Sequence, residues 1–134
     1  MEAASPSHTV FLAIPAKPDY VVLARLALSA VCRLSPLAPE EVADLKLAIT
    51  EAATYLMGGE RRQTGRDGDE SAALTFTFEL SDDGIALGVS GEEHPTVSDE
   101  ERELSLALIR ATVDSYDYSN GSMRLFKELD YGGE

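Results

Sequence analysis

Residues 74–89 read LTFTFELSDDGIALGV, and this stretch decides the fold. Apolar and polar residues alternate on both sides of the Asp82-Asp83-Gly84 turn, which is typical of strands with one buried face. The apolar members are Leu74, Phe76, Phe78, Leu80, Ile85, Leu87 and Val89. Because a short turn joins the two segments, the pattern predicts a β-hairpin whose inner faces share one core.

The N-terminal part of the chain is predicted to form a strand followed by a helix. Residues 9–14 (TVFLAI) are apolar and β-branched and end at Pro15, which indicates a strand. Lys17-Pro18-Asp19 then opens a helix. Its predicted buried face consists of apolar residues at helical spacing: Leu23, Leu26, Ala27, Ala30, Val31 and Leu34. This assignment leaves Arg25, Ser29 and Arg33 on the opposite, exposed side.

A second helix is predicted to begin at Pro39, because proline is favoured at a first helical position and acidic residues follow it. Its apolar stripe consists of Val42, Leu45, Ile49, Ala52 and Leu56. Gly58-Gly59 is predicted to end this helix, because glycine readily adopts the left-handed backbone conformation found at helix C-termini. Residues 60–71 contain two glycines and lack large apolar side chains, so they are predicted to form a surface loop.

The rest of the chain predicts a helix and a second hairpin. Residues 91–97 are irregular, and Ser98 with Glu101 forms a capping box that starts a helix through about Val113. Its predicted inner face is Leu104, Leu108 and Ala111. Tyr116 and Tyr118 lie in a strand that they are expected to stabilise, and Asn120-Gly121 turns the chain. The returning strand carries Met123, Leu125 and Leu129.

These elements predict an α+β two-layer sandwich. Strands joined by hairpins favour a mostly antiparallel sheet, with the helices on one face. With 134 residues, of which 44% are hydrophobic, the chain has enough material for one domain. We expect a single domain over residues 9–130, with tails at 1–8 and 131–134.

Charge and cysteine content limit the function classes. The net charge of -13 opposes binding to nucleic acid or to anionic membranes and favours a basic protein partner. The alternative is that the charge only keeps the protein soluble. The single Cys32 and the lack of a targeting or membrane segment favour a cytoplasmic location. His8 and His94 are expected to be exposed loop residues, and no metal site is expected.

Several strings resemble the RsbW-type anti-sigma factors and serine kinases. These strings are IPAKPDY (14–20), RLAL (25–28), VADLKLAITEA (42–52) and LALIRATVD (106–114), and residues 121–129 resemble the closing strand of the family. That family belongs to the superfamily of histidine kinases, gyrase and Hsp90. The strings fall in the family's order over nearly the whole chain after residue 9.

The resemblance implies an ATP site whose motifs have degenerated. Working members carry Glu-Ala-Cys-Thr-Asn, with glutamate as general base and asparagine holding magnesium, whereas this chain has Glu51-Ala52-Ala53-Thr54-Tyr55. A tyrosine phenol is a poor ligand for a hard cation. The remaining matching positions are Gly91, Glu93 and Pro95, where the family has Asp-x-Gly-x-Gly, and Glu103 and Ser105, where it has glycines.

The hypothesis from this resemblance is an anti-sigma factor that has no kinase activity and needs neither ATP nor magnesium. Arg25 and Ser29 are predicted to bind a sigma factor and a competing antagonist of the STAS type, and a homodimer is implied. The alternative for Arg25 is an ordinary solvated arginine, and the alternative for Glu51 is an ordinary solvated glutamate. The alternatives are an active, ATP-dependent serine kinase with Glu51 as its base, and a protein that binds only a STAS or family partner.

Overall fold

The computed structural model describes residues 8–58, 72–91, 98–119 and 121–129. The elements follow one another in the predicted order. They are β1 (His8–Pro15), a short 3-10 helix (Pro18–Tyr20), α1 (Val21–Cys32), α2 (Pro39–Leu56), β2 (Ala73–Leu80), β3 (Gly84–Gly91), α3 (Asp99–Thr112), β4 (Ser115–Ser119) and β5 (Ser122–Glu128). This arrangement confirms the predicted α+β fold.

The five strands form one antiparallel sheet in the order β1-β2-β3-β5-β4. The β2–β3 hairpin lies at its centre, with Phe76 opposite Val89. Side chains of one face alternate into the core, because successive residues of a strand point to opposite faces. The buried members are Leu74, Phe76, Phe78, Leu80, Ile85, Leu87, Val89, Met123 and Leu125. The predicted inner faces of both hairpins are therefore confirmed.

Helix α2 packs on this core as the sequence predicts. Leu45, Ile49, Ala52 and Leu56 are buried, and Val42 is partly buried against them. The helix begins at Pro39, where the side chain of Glu41 accepts a hydrogen bond from the backbone N–H of Ala38. Gly58 follows the helix with a φ of 95°, the left-handed conformation expected of it. Gly59 and the predicted loop 60–71 lie outside the described residues.

The predicted buried face of α1 is wrong. Leu23, Leu26 and Leu34 are 42%, 61% and 60% exposed. Of the predicted set, Ala30 is also exposed, Ala27 is half-buried, and Val31 alone is buried. The buried side chains are Val21, Ala24, Leu28, Val31 and Cys32. The helix reads VVLARLALSAVC, which is apolar almost all round, so two different faces satisfy the helical spacing and periodicity cannot choose between them.

The predicted inner face of α3 is also wrong. Leu104 is 63% exposed, Ala111 is exposed and Leu108 is half-buried. The buried positions are Ser105, Ile109 and Thr112. Two of these three carry hydroxyl groups, which a search for apolar residues does not find. The start of the helix is confirmed, since Ser98 Oγ accepts a hydrogen bond from the N–H of Glu101 at 3.1 Å.

The remaining boundaries differ little from the prediction. Strand β1 includes His8, which was predicted to end the N-terminal tail. Gly91, predicted to open an irregular segment, is the last residue of β3. Gly121 turns the chain between β4 and β5 with a φ of 79°. Residues 92–97, 120 and the two tails at 1–7 and 130–134 lie outside the described parts of the chain. None of the described helices is long and apolar enough to cross a membrane.

Candidate functional site

Helix α2 places Glu51 and Tyr55 one turn apart, so both side chains lie on the same flank of the helix. Glu51 Oε2 accepts a hydrogen bond from Ser105 Oγ of α3 at 2.8 Å. Ser105 is only 8% exposed. The resemblance assigns positions 51 and 105 to a general base and a phosphate-binding turn, and the structure joins them directly to each other.

Tyr55 is buried in the same region. Its ring meets the ring of Tyr118 in a T-shaped contact, with centroids 5.4 Å apart and planes at 83°. Burial raises the pKa of the Tyr55 phenol, Tyr118 raises it further, and the charge of Arg102 on α3 partly opposes this. The phenol is therefore neutral at ordinary pH. Tyr118 was predicted only to stabilise its hairpin, and its contact with α2 was missed.

The residues at these positions do not fit a magnesium-bound nucleotide. A neutral, buried phenol at position 55 cannot supply the anionic or carbonyl oxygen that a hard cation prefers. The Glu51 carboxylate is already held by Ser105. Glu103 is exposed beside Ser105 and adds negative charge where phosphates would approach. In the described ranges, no three His, Cys, Asp or Glu side chains gather as metal ligands.

Gly91, the position that the resemblance matches with the family's adenine-binding aspartate, is a residue of strand β3. Its N–H donates to the carbonyl of Gly121 at 2.8 Å, which ties the end of β3 to the β4–β5 turn. A Cβ atom here would meet its nearest neighbour, Leu74, at 3.4 Å, an ordinary contact distance. No carboxylate is present at this position. Glu93, His94 and Pro95 lie outside the described residues, so their predicted roles stay predictions.

Arg25 lies on the flank of α1 that faces α2. It is half-buried, and the prediction that it lies on a free polar side is wrong. Its Nη1 donates to Thr50 Oγ1 at 3.2 Å, and the Thr50 hydroxyl donates in turn to the carbonyl of Lys46 at 2.8 Å. The guanidinium is therefore positioned by α2. Ser29, one turn further along α1, is half-buried on the same flank.

Beside Arg25, α1 turns an apolar surface to solvent. We call this surface the α1 outer face, and its large members are Val22, Leu23, Leu26 and Leu34. The helix contains no acidic residue, in a chain whose net charge is -13. Exposed, contiguous apolar side chains commonly mark protein interaction sites. The sequence analysis missed this surface because it assigned Leu23, Leu26 and Leu34 to the core. A helix that is apolar on nearly every side nevertheless indicates that one apolar face remains exposed.

Cys32, at the end of α1, is buried and is the one cysteine of the chain. Burial raises the pKa of its thiol from 9.0 to about 11, although the charge of Lys46 opposes the shift. The thiol is therefore protonated at neutral pH. Because the thiolate is the reactive form, Cys32 is a packing residue and not a nucleophile.

Comparison with known proteins agrees with the resemblance. Residues 14–125 match the family described as Histidine kinase-like ATPase domain. A serine-protein kinase RsbW of Bacillus pumilus is 41% identical over 77 residues, which cover 58% of this chain and 46% of the relative. The protein of the same name from Listeria innocua is 32% identical over 81 residues, covering 60% and 48%. That of Halalkalibacterium halodurans is 25% identical over 119 residues, covering 89% and 68%.

The chain spans about half the length of the first two relatives that it matches. The family match, by contrast, runs from the end of β1 into β5 and so includes the three described α helices and strands β2, β3 and β4. The predicted family is confirmed by both findings. The chain belongs to the histidine kinase-like ATPase family, and the relatives that it resembles there carry the name RsbW.

Proposed function

We propose that this chain is a cytoplasmic anti-sigma protein that sequesters a sigma factor through α1 and does so without ATP. The observation that carries the proposal is the α1 outer face, where Leu26 is 61% exposed beside the positioned guanidinium of Arg25. Apolar side chains around a fixed arginine are the composition expected of an interface centre. The sigma factor and a competing STAS-type antagonist come from the family resemblance.

The charges on and around α1 support a partner of a particular chemistry. Residues 8–33 contain Lys17, Arg25 and Arg33 against one acidic residue, Asp19, whereas the whole chain is strongly acidic. A basic partner is therefore attracted at long range by the whole chain. At the contact itself, Arg25 favours a carboxylate among apolar side chains. The partner would combine a basic surface with an apolar contact patch that includes an acidic residue.

A homodimer is part of the proposal. Strand β1 is an edge of the sheet, eight residues long, and most of its residues are exposed. Phe11 is 71% exposed and Val10 is 37% exposed. Long apolar edge strands readily pair with other strands, and two acidic chains repel least where they carry few acidic residues. Pairing through β1 therefore suits a second copy.

The independence from ATP rests on the site at α2 and α3. Tyr55 is buried at the position of the magnesium ligand, and Glu51 is engaged by Ser105. Switching would then follow from competition between the sigma factor and the antagonist for α1, by mass action. A kinase remains the second candidate, because Glu51 is retained and the relatives carry the name serine-protein kinase.

The test is binding of the purified chain to each sigma factor and each STAS protein of its source organism, without nucleotide. We expect one sigma factor to bind and one STAS protein to displace it. Arg25→Ala should weaken both interactions, while Arg110→Ala, which changes an exposed arginine of α3, should weaken neither. Binding to a STAS protein alone would favour the third hypothesis, and phosphorylation of that protein in the presence of ATP would favour the kinase.

A further inference from the structure

Helix α3 has few fully buried apolar side chains, although Leu106 is partly buried against the core. Its only fully buried apolar side chain within Asp99–Thr112 is Ile109. The other two buried positions, Ser105 and Thr112, carry hydroxyl groups. By comparison, α2 buries seven side chains, all of them apolar or aromatic. Apolar burial alone therefore holds α3 much less firmly than α2.

A polar contact supplements this interface. The Ser105 hydroxyl donates to Glu51 Oε2 at 2.8 Å, an ordinary length for a hydrogen bond between two oxygens. Thr112 cannot serve in the same way, because its hydroxyl bonds to carbonyls of its own helix, those of Leu108 and Ile109. Among the described residues, Ser105–Glu51 is the side-chain hydrogen bond between α2 and α3 that the structure shows.

One ring contact and one electrostatic interaction lie in the same region. Tyr55 of α2 packs edge-on against Tyr118 of β4. Arg102, one turn before Ser105 on α3, lies close enough for its charge to act on the Tyr55 phenol. Elements α2, α3 and β4 therefore meet at the positions that, in working family members, the resemblance assigns to nucleotide and magnesium.

We propose that Glu51 and Ser105 form a latch that holds α3 closed on α2 without any ligand. In a working member, the corresponding glutamate would face bound nucleotide, and glycine at the position of Ser105 could not donate a side-chain hydrogen bond. In this chain, Ser105 donates a hydrogen bond to Glu51 and so joins α3 to α2 without a ligand. This inference rests on the proposed function in taking the nucleotide site to be unused.

The test is amide hydrogen exchange of residues 99–112 in the full chain, without nucleotide and with ATP and magnesium. We expect α3 to be protected without nucleotide and unchanged by its addition. Ser105→Ala should speed exchange in α3 by about tenfold, the effect of losing one hydrogen bond to a charged group. Ser105→Thr, which keeps the hydroxyl, should restore most of the protection.

Two further variants make the result specific. Glu51→Gln keeps an acceptor oxygen, so its α3 should exchange at a rate between those of the original chain and Ser105→Ala. Ser90→Ala removes a hydroxyl from the exposed Ser90–Ser122 pair of the sheet and should leave α3 unchanged. Exchange in α2 should respond to none of these changes, which would show that the domain remains folded.

Either of two results would overturn the latch. One is α3 exchange in Ser105→Ala equal to that of the original chain. The other is protection of α3 that appears only after ATP and magnesium are added. The proposed function fails by a different result, the absence of any sigma-factor binding through α1, so the two failures can be told apart by measuring sigma-factor binding on the same proteins.

Discussion

Two surfaces of the molecule differ in the partners of their side chains. One is the flank of α2 that faces α3, and the other is the α1 outer face. On α2, Glu51 and Tyr55 each have a partner within the chain, Ser105 and Tyr118. On the α1 outer face, Leu23, Leu26 and Leu34 are exposed to solvent. Under the proposed function, the α2 site is occupied by the chain's own residues, whereas the α1 outer face binds another protein. Changes at the α2 site should affect stability, and changes on α1 should affect binding.

The largest expected effect is on stability at the α2 site. Tyr55→Ala removes a ring that is 5% exposed and should lower the free energy of unfolding by about 3–5 kcal/mol. Tyr116→Ala, at a half-buried tyrosine of β4, should cost clearly less. Urea unfolding measures both. A loss below about 1 kcal/mol for Tyr55→Ala would mean that the ring is dispensable and the site is open.

On α1 the effect should fall on partner binding. Leu26→Asp places a charge in the apolar interface and should weaken sigma-factor binding at least about thirtyfold, as for an interface hot spot. Its free energy of unfolding should change by no more than about 0.5 kcal/mol. Leu104→Asp is the matched control, because Leu104 is equally exposed but lies on α3. Equal weakening by both variants, measured by calorimetry, would contradict the assignment of the interface to α1.

A smaller effect on partner binding is expected when Arg25 loses its hydrogen bond to Thr50. Thr50→Val keeps the shape of the side chain but deletes the oxygen that accepts from Arg25 Nη1. Partner binding should weaken about threefold to tenfold, the effect of one hydrogen bond, through loss of guanidinium positioning. In the Arg25→Ala background the same change should have no further effect. Additive losses would show that Thr50 contacts the partner itself.

The smallest expected effect is a loss of stability in alkali. The folded state raises the pKa of Cys32 from 9.0 to about 11, so it holds the thiol proton more tightly than the unfolded chain does. This contribution is complete below pH 9 and is lost as pH rises toward about 11, with about 1 kcal/mol gone by pH 10. The raised pKa of Tyr55 acts in the same direction.

Urea unfolding at several pH values measures this decline. Cys32→Ala should make the decline shallower, because the largest shifted group is then absent. A free energy of unfolding that stays constant between pH 8 and about 10.5 would contradict the burial of both groups.

The sequence was sufficient for elements whose signals are local. The β2–β3 hairpin has a period of two and a turn at Gly84, and α2 has a proline start and a glycine end, so both were predicted with the correct buried faces. Helix α3 was found from its cap at Ser98. These features depend on neighbours within a few residues, which the sequence displays directly.

The faces of α1 and α3 could not be predicted in the same way. Helix α1 is apolar on nearly every side, and α3 buries two hydroxyl residues, so periodicity had no single answer in either case. At the site, the family motif identified positions 51, 55 and 105. Their contacts were beyond prediction, because Glu51 and Ser105 are 54 residues apart in sequence and meet only when α2 and α3 pack.

The most direct test of the central claim is a calorimetric titration of the purified chain with ATP and magnesium. A site filled by Tyr55 and closed by Glu51 and Ser105 predicts no heat of binding at millimolar nucleotide, and no thermal stabilisation in a parallel melting experiment. Micromolar binding that disappears on removal of magnesium, or in Glu51→Ala, would contradict the account and make the ATP-dependent kinase the leading hypothesis.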